Sequence, residues 1–173
     1  TAGDMLTNGL VWLYDSTGFI GGGIIGLFYA PLVITGMHHS FIAVETQLLA
    51  DIAKTGGTFI FPIASMSNVA QGAACLAMIF ITKNSKTKSL ATASSISAYL
   101  GITEPAMFGV NLKLRYPFYA AMIGSAVGSA YVTFFKVKAV ALGATGLPGI
   151  IAITPGYMTY FIIGIIMTTI LTF

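Results

Sequence analysis

Glu104 sits in Gly101-Ile102-Thr103-Glu104-Pro105 and is the only acidic residue after Asp51. Its carboxylate offers two acceptor oxygens, enough for two hydroxyls of a sugar or for a coupling proton. His38 and His39 are the only histidines, and imidazole exchanges a proton near neutral pH. Neighbours on a helix point about 100° apart, so one of the pair faces any given site. They are poorly spaced for a metal, since helical zinc sites use i and i+4. Ser65, Asn68 and Gln71 recur every third residue, which puts them on one inward-looking helix face. Asn68 and Gln71 suit hydrogen bonds between helices or the hydroxyls of a sugar. Glu45, close to Asp51, reads as a carboxylate at a helix end or interface. Lys113 and Arg115 read as interface anchors that could also attract a negatively charged phosphoryl donor.

Other chemistry is missing from the chain. There is no Ser-His-Asp arrangement, no phosphate-binding glycine loop and no metal-ligand cluster, and no cofactor is implied. Cys75 is the single cysteine, which excludes an internal disulfide. It lies in an apolar run from Gly72 to Phe80. A reactive thiol wants basic, accessible surroundings, so Cys75 reads as a small core residue. By itself the chain does not look catalytic.

The elements that must position these residues are membrane segments. Of 173 residues, 56% are hydrophobic and 8% charged, and the mean hydropathy is +0.89. Soluble domains carry about 25% charged residues, so this chain cannot cover itself with a polar surface. One membrane span needs roughly 20 apolar residues, and the length allows about four or five segments. The formal net charge of +3 lies in loops and reads as an orientation signal rather than a nucleic-acid surface. The start, Thr1-Ala-Gly-Asp-Met-Leu, has no initiator Met and no basic leader. It reads as the interior of a longer polytopic protein.

Spans are expected at about 16–31, 59–82, 116–135 and 156–173. Pro31 should end or kink the first. Residues 32–49 hold His38, His39, Glu45 and Gln47, too polar for a lipid-facing span, and suit a re-entrant segment. Asp51 to Thr58 reads as a loop. Residues 89–112 lie between two basic clusters, Lys83 to Lys88 and Lys113 to Arg115. A single crossing would put one cluster outside, against the positive-inside rule. A dip and return puts both inside. Each arm of such a hairpin is about 16 Å long, half of a core about 30 Å thick, so the tip Gly101–Pro105 falls near the midplane. A carboxylate there costs roughly 2.5–3.5 kcal/mol or more on insertion scales, which argues that Glu104 faces a ligand, an ion or a partner. Gly124 and Gly128 form a small-xxx-small pair in the third span, and Gly143–Pro155 is irregular.

Four stretches carry a family resemblance. They are Pro31-Leu-Val-Ile-Thr-Gly-Met-His38-His39-Ser, Met66-Ser-Asn68-Val-Ala-Gln71-Gly, Gly101-Ile-Thr-Glu104-Pro-Ala-Met-Phe-Gly-Val-Asn111-Leu-Lys, and Gly146-Leu-Pro-Gly-Ile. In order and spacing they resemble the membrane IIC component of the bacterial phosphotransferase system, in the sucrose, trehalose and β-glucoside branch. The resemblance implies an all-α polytopic protein of the bacterial inner membrane with re-entrant helical hairpins. Residues 1–173 match the substrate-binding half. The dimerising scaffold half and the cytosolic IIB domain, whose phosphocysteine donates the phosphoryl group, are not in this stretch. It implies that Glu104, with Thr103 beside it, binds sugar hydroxyls at the hairpin tip. It also implies that a His of the earlier re-entrant segment, His38 with His39 as the alternative, reaches the hydroxyl to be phosphorylated. Sucrose is the expected sugar, trehalose or a β-glucoside the next. Expected partners are the IIB domain, the scaffold half, lipid, and a second copy through that scaffold half. An ion-coupled sugar transporter with Glu104 as proton site is the reading from a different class.

Overall fold

The computed structural model describes residues 9, 12, 14–50 and 52–173. Residues 1–6 and Asp51, used above for the start of the chain and for a loop, lie outside that set. Six longer helices dominate: α1 (Phe19–Ile34), α2 (His39–Ala50), α3 (Ile60–Ile81), α4 (Ser85–Tyr99), α5 (Tyr116–Phe134) and α6 (Met158–Thr172). Among the described residues no strand forms; Thr58, Ala139 and Ile153 meet only as isolated bridges.

α3 is the axis. Every residue from Ile60 to Cys75 is buried, including the polar face of Ser65, Asn68 and Gln71, which looks inward as expected. It is also the one described helix that is long and apolar enough to cross a membrane, while α1 and α6 are apolar but shorter. α5, α4 and α6 pack against it. The α1–α5 and α5–α6 contacts are made by small residues. A Cβ on Gly26 would meet the Ser125 carbonyl oxygen at 2.8 Å, and Ser125 Oγ donates to the Gly26 carbonyl at 2.7 Å. On the other side of α5, Gly124 and Gly128 lie against Thr172 and Thr168 of α6. The expected small-xxx-small pair is therefore a helix contact, the close approach that small side chains permit.

Two boundaries differ from the sequence expectation for a physical reason. α1 does not stop at Pro31 but runs through it to Ile34. Its stop is Gly36, at φ +75°. The Gly36 amide donates to the Val33 carbonyl at 3.0 Å and the Met37 amide to Leu32 at 3.1 Å. That pair of bonds satisfies the last carbonyls of the helix and needs a residue at positive φ. The stretch expected as a loop after Asp51 contains a short helical turn, Ile52–Thr55.

Residues 85–114 form a helical hairpin. α4 is the first arm, and Asn84 caps it by accepting from the Lys86 and Thr87 amides at 3.0 and 3.2 Å. The second arm is a π-helical run, Pro105–Asn111, followed by Leu112–Leu114, and it packs along α4. Pro105 opens this run, where its missing N–H costs nothing. π-helical turns are rare and often mark functional sites.

Candidate sugar site

The hairpin tip is fixed by three interlocking devices. Gly101, at φ +98°, ends α4: its amide donates to Ala98 and the Ile102 amide to Ser97, both at 3.0 Å. The Ser97 hydroxyl returns a bond to the Ile102 carbonyl at 2.9 Å. The tip then lies flat on the loop before the Leu147–Ala152 turn. A Cβ on Gly101 would stand 2.7 Å from the Thr145 carbonyl oxygen, and one on Gly146 would run into the Tyr99 carbonyl. Asn68 of α3 holds the same spot from below, donating to Thr145 Oγ1 at 2.6 Å and reaching the Gly101 carbonyl at 3.5 Å.

Beside this junction is a cavity of about 400 Å³, within the usual range for small-molecule sites. Its walls come from four places. The hairpin tip supplies Gly101, Thr103 and Glu104; α3 supplies Phe61, Ala64 and Asn68. The α1–α2 corner contributes Tyr29, Val33, His38, Ile42 and Glu45, and the late loop Leu142, Gly143 and Thr145. Thr103 is buried while Glu104 is exposed to the open side. His38 Nδ1 is buried with no hydrogen-bond partner. The arrangement offers carboxylate acceptors, an imidazole, an amide and a hydroxyl around one space, which suits a polyhydroxylated ligand.

Four of the six residues singled out from the sequence, His38, Thr103, Glu104 and Asn68, line this one cavity. The other two do not. His39 is exposed and lies against His38, with ring centroids 4.1 Å apart. Gln71, one turn beyond Asn68, points at the second hairpin arm. Its Oε1 and its carbonyl both accept from Asn111 Nδ2, at 2.7 and 3.1 Å. The residue holds the hairpin, not the cavity. Cys75 stands one turn further on, buried, with Sγ 3.4 Å from Asn111 Oδ1.

Sequence reasoning missed Glu45. It is 8% exposed, lines the cavity, and has an oxygen, Oε1, with no hydrogen-bond partner. The signal was present: Ile42 and Glu45 stand at i and i+3 on α2, and His38, in the turn that leads into it, completes an i, i+4, i+7 spacing. Among the described residues, no three His, Cys, Asp or Glu side chains gather as a metal site would need.

The family model described as phosphotransferase system, EIIC, matches residues 1–125. The sucrose-specific EIIBC component of Pasteurella multocida is 59% identical over 172 residues, 99% of this chain and 36% of that protein. That of Vibrio alginolyticus is 63% identical over 171 residues, with the same two shares. The trehalose-specific EIIBC component of Bacillus subtilis is 48% identical over 171 residues, again 99% and 36%. The chain thus spans about a third of the length of the curated relatives it matches. No solved structure matches it significantly. The chain belongs to the EIIC family, the membrane component of the phosphotransferase system.

Proposed function

We propose that this chain is the sugar-binding half of a phosphotransferase-system permease that takes sucrose across the bacterial inner membrane for phosphorylation. The observation that carries the reading is the single cavity shared by His38, Asn68, Thr103 and Glu104. The names of the relatives at 59% and 63% identity favour sucrose. Trehalose is the second reading, favoured by the relative at 48%.

On this reading, residues 85–114 are a re-entrant hairpin with Glu104 at membrane depth, and residues 32–49 are the second re-entrant segment. α1, α3, α5 and α6 are the spans, and dimerisation belongs to a scaffold half. Glu104 accepts sugar hydroxyls, and Thr103 and Asn68 flank them. His38 orients the hydroxyl to be phosphorylated and takes its proton. A IIB domain docked at the basic base of the hairpin, near Lys113 and Arg115, supplies the phosphoryl group. Its phosphocysteine S–P bond breaks as the sugar O–P bond forms, a step that rests mainly on positioning and charge stabilisation. Cys75 has no part in it.

The test is sugar binding and phosphorylation by the intact carrier bearing Glu104→Gln and, separately, His38→Ala. Glu104→Gln should weaken sucrose binding. His38→Ala should lose phosphorylation with little loss of binding. Wild-type behaviour of both variants would sink the proposal. Uptake of unmodified sugar that collapses with a protonophore would instead favour ion coupling.

A further inference from the structure

Glu45 is a carboxyl group that neither the fold nor the function above accounts for. It sits on α2, more than nine-tenths buried, in the wall of the cavity. Thr58 stands beside the carboxyl group, yet Oε1 has no hydrogen-bond partner. Lys138 does not satisfy that oxygen, since its ammonium donates to the Thr55 carbonyl. An orphaned acceptor in a protein interior is costly, more so for a group that can be charged. Natural interiors carry few, and each calls for a reason. Here the atom borders a cavity, and a hydroxyl donor in that cavity is the reason the geometry offers.

Its place relative to His38 decides which hydroxyl. His38 ends the turn that leads into α2, and Glu45 stands two turns into that helix, whose six steps from His39 rise about 9 Å. The two polar groups line the cavity from separate points of its wall. If His38 stands at the hydroxyl that is phosphorylated, Glu45 stands at the far end of the ligand.

We propose that Glu45 is a second sugar-binding carboxylate, accepting a hydroxyl of the disaccharide ring remote from the one phosphorylated. This rests on the reading of the cavity as the sugar site. Glu104 holds the ligand from the hairpin tip, and Glu45 holds it from the α1–α2 corner.

The experiment is equilibrium binding of sucrose and its monodeoxy analogues to the intact membrane carrier. Wild type is compared with Glu45→Gln, Glu45→Ala and Glu104→Gln. In wild type, removing one hydroxyl of the remote ring should weaken binding about 10-fold or more, the usual size of a hydrogen bond to a charged group. Glu45→Ala should weaken sucrose by a similar factor and erase that one penalty, leaving those on the other ring. Where the Ala variant does not fold, Glu45→Gln, which keeps shape and one acceptor, should shrink the same penalty. A merely structural Glu45 would lower affinity for all analogues alike. An unchanged pattern of deoxy penalties in both Glu45 variants overturns the proposal, whatever their absolute affinity. If Glu104→Gln loses sucrose while that pattern is unchanged, only the Glu45 assignment fails. If Glu104→Gln binds as wild type does, the reading of the cavity fails with it.

Discussion

Gly101→Ala isolates the contact that places Glu104. Two costs apply. Gly101 has φ +98°, where an L side chain is strained by about 1–3 kcal/mol. The new Cβ would also stand 2.7 Å from the Thr145 carbonyl oxygen and 3.1 Å from the Thr145 nitrogen. An ordinary contact is 3.4 Å or more. The tip and the loop must therefore part by about 0.7 Å, the gap between 2.7 and 3.4 Å. The Thr145 hydroxyl, also 3.1 Å away, can rotate off, but the two backbone atoms cannot, and overpacking of this kind costs about 1–3 kcal/mol. Gly156→Ala supplies the control. Its φ is +94° and nothing lies within 4 Å of its Cβ position, so it carries the strain without the clash. Gly101→Ala should therefore lose about 1–3 kcal/mol more than Gly156→Ala.

The functional effect follows from the same displacement. Glu104 is three residues beyond Gly101, and Asn68 reaches both sides of the junction. A shift of about 0.7 Å takes a 2.8 Å hydrogen bond to about 3.5 Å, past the range of good geometry. Losing one bond to a charged group costs about 1.5–3 kcal/mol, a fall in affinity of about 10- to 150-fold. Thermal unfolding of the two variants in the intact carrier, paired with equilibrium sucrose binding, reads both effects. The reasoning is refuted if Gly101→Ala melts no lower than Gly156→Ala. It is refuted equally if Gly101→Ala melts lower but binds sucrose as wild type does, because the tip would then not be placed by this contact.

Three further outcomes follow. Asn68→Ala removes the 2.6 Å bond to Thr145 Oγ1 and should weaken sucrose binding measurably while lowering stability by about 1–3 kcal/mol, the cost of breaking a buried hydrogen bond. Asn111→Ala strips both of its bonds to Gln71 and should cost about 2–4 kcal/mol by the same accounting for two bonds, yet the folded fraction should keep wild-type sucrose affinity, read by comparing melting with binding on the same sample. Cys75→Ala, at a buried thiol, should leave phosphoenolpyruvate-dependent sucrose phosphorylation in membranes at the wild-type rate; loss of phosphorylation with normal binding would contradict its assignment to the core.

What the sequence revealed, and what it hid, divides along one line: local signals were legible and crossings were not. The helix break at the hairpin tip was legible because Gly101 and Pro105 are local signals. The end of α1 was misplaced because Pro31 is the louder breaker. A proline within a helix can be absorbed, whereas a glycine at positive φ that closes the last carbonyls cannot be bypassed. Gly143–Pro155 was legible as irregular, but its closure of the cavity through Thr145 depends on a partner 77 positions away in the chain, Asn68. Asn68 and Gln71 make the same point within one turn. Both sit on the predicted inward face of α3 and both are buried, and no periodicity separates them. What separates them is where the hairpin crosses that face. The tip comes down on Asn68, and the second arm, through Asn111, comes down on Gln71. Glu45 was misjudged for the complementary reason. Its nearness to Asp51 suggested a helix end, while its register with His38 put it on the cavity face. Register along a helix is a stronger guide to a site than distance from the next loop, because a helix turns a seven-residue spacing into a shared direction, and nearness in sequence to a loop fixes no direction at all.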